Sequence, residues 1–101
     1  MSKISKFSLK PKVRTRLIKK LWQVVSRLRT EAEIKKFLGN ILTPAEQEMF
    51  AKRIEALKLL EKKKTYSEIG RALNMSSPTL SRLNNRLRAD KNFGDRVKSL
   101  T

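Results

Sequence analysis

Three short punctuation marks limit what this chain can fold into. Thr30-Glu31-Ala32-Glu33, Thr43-Pro44-Ala45-Glu46 and Thr65-Tyr66-Ser67-Glu68 each set a threonine three residues before a glutamate. At that spacing the hydroxyl takes the amide at the glutamate position and the carboxylate reaches back to the threonine amide, so each pattern starts a helix. Long Val/Thr/Tyr runs are absent and only three glycines and three prolines occur, so sheet has almost no support. An all-α chain follows, and 101 residues suffice for one compact domain.

Apolar periodicity fills in the helices. Pro11 suits a first turn, where its missing donor is not needed. Behind it Val13, Leu17, Ile18, Leu21, Val24, Val25 and Leu28 recur at helical spacing, with Trp22 at the border. Arg16, Lys19, Lys20, Gln23 and Arg27 cover the other side. That stripe is broad for so small a chain; a partner subunit and ordinary core are both open explanations. The helix after Thr30 offers Ile34, Phe37 and Leu38 and is expected to stop at Gly39-Asn40, both tolerant of left-handed backbone. The helix from Thr43 should run to about Leu60 and bury Met49, Phe50, Ile54, Leu57 and Leu60. Glu61 to Lys64 reads as a polar connector. A last helix is expected from Asp90, with Phe93, Val97 and Leu100 on it; Gly94 weakens it, and fraying after Phe93 is the alternative.

Charge sets the class of partner. Lysine and arginine total 25 against nine acids, a net +16. The surplus is +10 over residues 1–30, zero over 31–60 and +6 over 61–101. Two basic flanks around a balanced middle attract polyanions, and phosphate contacts make such binding salt-sensitive. Residues 1–10 read as a disordered basic arm, and residues 11–101 as a single helical domain. The start lacks the apolar segment of a secretory signal, no apolar run approaches a membrane span, and the absence of cysteine fits a cytoplasmic protein. With no His and no Cys, the usual acid–base, nucleophilic and metal-ligating residues are missing, so an enzyme is not expected.

Residues 66–85 carry the strongest functional pattern, a helix-turn-helix. Ile69, Leu73, Met75, Leu80 and Leu83 supply the shared apolar contacts, and Gly70 is small where the second helix crosses the first. Asn74 stands at the sharp turn, where positive φ is needed. Ser76 or Ser77 caps the second helix and Pro78 begins it. With its leucines turned inward, that helix leaves Ser77, Pro78, Thr79, Ser81, Arg82 and Asn85 as candidates for reading base edges. Arginine pairs bidentately with guanine, asparagine with adenine, and Ser or Thr with either. Lys62, Lys63, Lys64, Ser67, Arg71 and Arg86 are candidates for the phosphate clamp that sets register. The reading is a sequence-specific binder of double-stranded DNA that regulates transcription, as a repressor. A basic RNA-binding or ribosome-associated protein is the alternative; against it, the reading face has no aromatic residue for stacking unpaired bases. A module that docks on another protein through the helix pair is a third reading.

Leu42-Thr43-Pro44-Ala45-Glu46, Arg53-Ile54-Glu55, Thr65 to Ile69 and Thr79-Leu80-Ser81-Arg82-Leu83-Asn84 together resemble the tryptophan operon repressor superfamily, with the fit closest to its YerC/YecD-type branch. The resemblance covers about Thr30 to Leu87. It implies six helices and an intertwined homodimer in which the first three helices and the last interlock. Two recognition helices would then enter successive major grooves one turn, ~34 Å, apart. The family's ligand pocket holds an indole between two arginines, and Arg53 and Arg82 match those positions, with Thr43 near the same pocket. The apolar neighbours Met49, Ala56 and Leu57 predict that the Arg53 stem is part buried. Two residues depart from the family pattern. Leu83 replaces a glycine and intrudes on the indole space, and Arg86 replaces a serine that helps hold the ligand's amino group. The expectation is therefore no metal, no cofactor and no tryptophan-like corepressor.

Overall fold

Residues 9–101 are described in the computed structural model, so nearly all of the expected basic arm lies outside the described residues. They form six helices: α1 (Pro11–Val25), α2 (Glu31–Ile41), α3 (Pro44–Glu61), α4 (Tyr66–Leu73), α5 (Ser77–Ala89) and α6 (Lys91–Leu100). No strand occurs among the described residues. The described residues divide into two compact units, one ending at Ile41 and the other Leu42–Thr101, so the stretch expected as a single domain falls in two parts.

In the first unit α1 starts at Pro11 as expected, and neither α1 nor α2 buries a residue. Leu17, Ile18, Leu21, Ile34, Phe37 and Ile41 are exposed, and Trp22 is 63% exposed. Two details differ from the sequence reading. The Thr30 hydroxyl accepts from the Glu33 amide at 3.1 Å, but the Glu33 carboxylate takes the Arg29 amide at 2.7 Å rather than that of Thr30. Helix α2 also runs through Gly39 and Asn40 to Ile41, and no glycine has positive φ. The Asn40 side-chain Nδ2 donates to the Lys36 carbonyl at 2.7 Å. The helix ends at Ile41, and Thr43 is extended at φ −69°, ψ 160°, as suits a residue before proline.

The second unit holds the core. Thr43 and Glu46 make a complete capping box at the start of α3, and Pro44 occupies its first turn. Ala56 and Leu60 of α3, Ile69 of α4, Leu80 and Leu87 of α5 and Val97 of α6 form one buried cluster. Leu57, Leu59, Tyr66, Leu73, Met75 and Leu83 pack on it half-buried. The burial expected for Met49, Phe50 and Ile54 is corrected: all three are exposed. Met49 and Phe50 lie on the first half of α3, and Ile54, two residues before buried Ala56, points to a different face of the helix.

Helix α6 persists past Gly94. The Asp90 carboxylate accepts from the Asn92 and Phe93 amides at 3.0 and 3.3 Å, which fixes the helix start. Val97 is buried, and Lys98 pairs with Glu61 of α3 at 3.5 Å. A Cβ at Gly94 would lie 2.6 Å from the Glu61 carboxylate, so the glycine allows α6 to approach the end of α3. Packing outweighs the weak helix propensity.

Candidate nucleic-acid interface

Helix α4 begins in a second complete capping box. Glu68 accepts the Thr65 amide at 2.9 Å, and its own amide donates to the Thr65 hydroxyl at 3.1 Å. Those bonds to Thr65, then the nearby Lys64 and Arg71 charges, hold the Glu68 carboxyl below its ordinary range. The box therefore persists at neutral pH and opens only as pH falls through that lowered value.

The turn that follows reverses the chain in three residues. Asn74 takes the left-handed conformation at φ 54°, ψ 54°, and the Met75 amide donates to the Gly70 carbonyl at 3.2 Å. Gly70 is required for a reason more local than a helix crossing. A Cβ there would sit 2.8 Å from the Met75 carbonyl oxygen and only in ordinary contact, 3.9 Å, with Leu80. The glycine lets the turn fold back over its own helix. Ser76 is the N-cap of α5, accepting from the Thr79 amide at 3.4 Å, and Ser77 and Pro78 fill the first turn.

With Leu80 and Leu87 buried, α5 leaves Ser77, Pro78, Arg82, Asn85 and Arg86 exposed. Thr79 and Ser81 are half-buried on the shoulders, and the Thr79 hydroxyl is engaged with that of Ser76 at 3.0 Å. The helix runs on to Ala89, four residues past the expected end of the motif. That extension adds Arg88, exposed one turn beyond Asn85 and two beyond Ser81, which is not among the expected contacts. Its signal was available: no acid interrupts residues 77–89.

The expected phosphate-contacting residues lie at three places, one of them Arg86 on α5. Arg71 donates to the Ser67 hydroxyl at 3.2 Å on the exposed side of α4. Lys62, Lys63 and Lys64 end α3, all exposed. Lys63 is left-handed at φ 66°; its amide donates to the Leu60 carbonyl at 2.9 Å and that of Lys64 to Leu59 at 3.1 Å. This is a Schellman ending with lysine where glycine is usual. Lys63→Gly should relieve the left-handed penalty and raise stability by about 0.5–1 kcal/mol, read as a higher urea midpoint. An unchanged or lower midpoint would contradict that assignment of backbone strain.

Arg53 is exposed, not part buried, and its guanidinium lies 3.5 Å from the Met49 sulfur. It lines an open recess of about 230 Å³ together with Thr79, Arg82, Leu83 and Arg86. Arg53 and Arg82 therefore do meet. Thr43 is not among the lining residues; it starts the same helix ten residues earlier, about 15 Å along the axis, and its hydroxyl accepts the Glu46 amide at 3.1 Å. Three guanidiniums and no carboxylate make the recess attractive to anions and repellent to an ammonium group.

The chain matches the model of the family described as Trp repressor protein over residues 16–98. It belongs to the Trp repressor family. The match spans all six helices in whole or in part, with the helix-turn-helix entirely inside it. The Trp repressor family consists of helix-turn-helix, DNA-binding regulators of transcription rather than enzymes. A search of the curated proteins finds no match to the chain, and neither does a search of the solved structures. No helix among the described residues is long and apolar enough to cross a membrane.

Proposed function

We propose that this member of the Trp repressor family is a sequence-specific repressor that binds a roughly palindromic duplex as a homodimer, in the cytoplasm. The observation that carries the reading is the exposed face of α5, where Pro78, Arg82 and Asn85 stand out while Leu80 and Leu87 hold the helix to its neighbours. Arg82 would pair with guanine and Asn85 with adenine, with Ser77, Pro78, Thr79 and Ser81 reading beside them. Lys62, Lys63, Lys64, Ser67, Arg71 and Arg86 would hold phosphates on either side. Dimerisation is supported by the exposed apolar residues of α1, α2 and the first half of α3, a larger set than a monomer ordinarily leaves in water.

Selection of bound duplexes from a random pool tests the proposal, and paired half-sites one helical turn apart are the expected product. On the selected duplex Arg82→Ala should weaken binding by about 1–3 kcal/mol and relax base preference at one position of each half-site. Lys63→Gly should weaken selected and scrambled duplexes alike. Equal behaviour of the two variants, or a pool that yields no shared sequence, would remove α5 as the reading element.

A further inference from the structure

Helix α1 has two faces, and only the apolar one is accounted for by dimerisation. Lys12, Arg16, Lys19 and Lys20 fall within about 100° of arc, with Gln23 between them and Thr15 at its edge. All six residues are exposed. No acid occurs anywhere in residues 1–30, and neither ion pair among the described residues, Lys52–Glu48 and Lys98–Glu61, involves α1. Pro11, Lys12, Thr15, Arg16 and Lys19 line an open groove along this face. The opposite arc carries Val13, Leu17, Ile18, Leu21, Val24 and Val25, with Arg14 the one cation among them, so four of the five cations of α1 gather on one face.

We propose that this cationic face of α1 is a second DNA-backbone contact surface, separate from the helix-turn-helix, which grips duplex phosphates without reading bases. Its charge spacing suits that partner. Lys12 to Lys20 span about 12 Å of helix, which gives one positive charge per roughly 3–4 Å against one negative charge per ~3.4 Å along a DNA strand. A duplex is favoured over a lipid surface because a membrane would need the apolar arc of the same helix, which the proposed dimer would cover. The inference rests on the proposed DNA binding, but it predicts a different observable: affinity common to all sequences and steeply dependent on salt.

The test uses the full chain with Lys12→Gln, Arg16→Gln, Lys19→Gln and Lys20→Gln combined. Binding is measured on a selected and a scrambled duplex across a tenfold range of salt. The slope of log affinity against log salt should flatten by about 3–4 per chain, four contacts at ~0.9 each. Affinity for both duplexes should fall by one common factor, leaving their ratio intact. A triple Lys→Arg variant at positions 12, 19 and 20 should keep the parental slope, which separates charge from fold. An unchanged slope in the glutamine variant overturns the proposal. So does a loss confined to vesicles of mixed anionic and zwitterionic lipid, which would make the face a membrane contact. Failure of the reading helix is distinguishable: there Arg82→Ala leaves base preference unchanged while the slope still responds to the α1 variant.

Discussion

Leu80→Ala is expected to lower unfolding stability by about 2–5 kcal/mol, the range for a fully buried leucine whose site cannot collapse. Leu80 has no exposed surface, and it belongs to a cluster drawn from four helices, with Ile69 equally enclosed. The cluster has only six buried members, so each is a large share of what holds α5 in place. Removing three carbons leaves a void inside that cluster. Urea unfolding should show the midpoint falling with little change in slope. Duplex affinity should fall with it at temperatures where the variant is partly unfolded. A loss below about 1 kcal/mol would mean that α5 is held by something other than this cluster.

Gly70→Val is expected to cost about 3 kcal/mol, for the opposite reason. The first carbon of any side chain would meet the Met75 carbonyl oxygen at 2.8 Å, and that oxygen is backbone. Relief requires the turn to open, yet the turn is tied down by the Met75 amide on the Gly70 carbonyl and by left-handed Asn74. Opening it also rotates α5 away from α4, so base discrimination should fall beyond what the loss of stability explains. The comparison with Gly94 is instructive. There the first obstacle is the Glu61 carboxylate, the mobile end of a long side chain, so Gly94→Ala should be tolerated far better. Equal costs at the two glycines would show that helix propensity, not the close approach, decides both.

Much of the candidate site was legible because its parts are local. The Thr65 box, the left-handed Asn74, the Ser76 cap and Pro78 all act within a few residues, so their types and spacing suffice to place them. The outward residues of α5 followed once its leucines were set inward. Less legible was Lys63, because a lysine in a left-handed Schellman position carries no compositional signal. Arg88 lies beyond residue 85, the expected end of the motif, whereas α5 continues to Ala89. The half-burial of Thr79 and Ser81 depends on neighbouring helices rather than on α5 alone.

The sequence by itself determined the helical class, the starts of α3, α4 and α5, the turn of the helix-turn-helix and the positive charge that attracts polyanions. Each is set by short-range hydrogen bonding or by total charge, which need no fold to be counted. Only the tertiary structure decided which apolar residues are core. Met49, Phe50 and Ile54 have the spacing of buried residues yet stand exposed, while Ala56 and Gly94 are buried although neither offers a large apolar side chain. Periodicity states which residues share a face; what covers that face depends on helices distant in sequence.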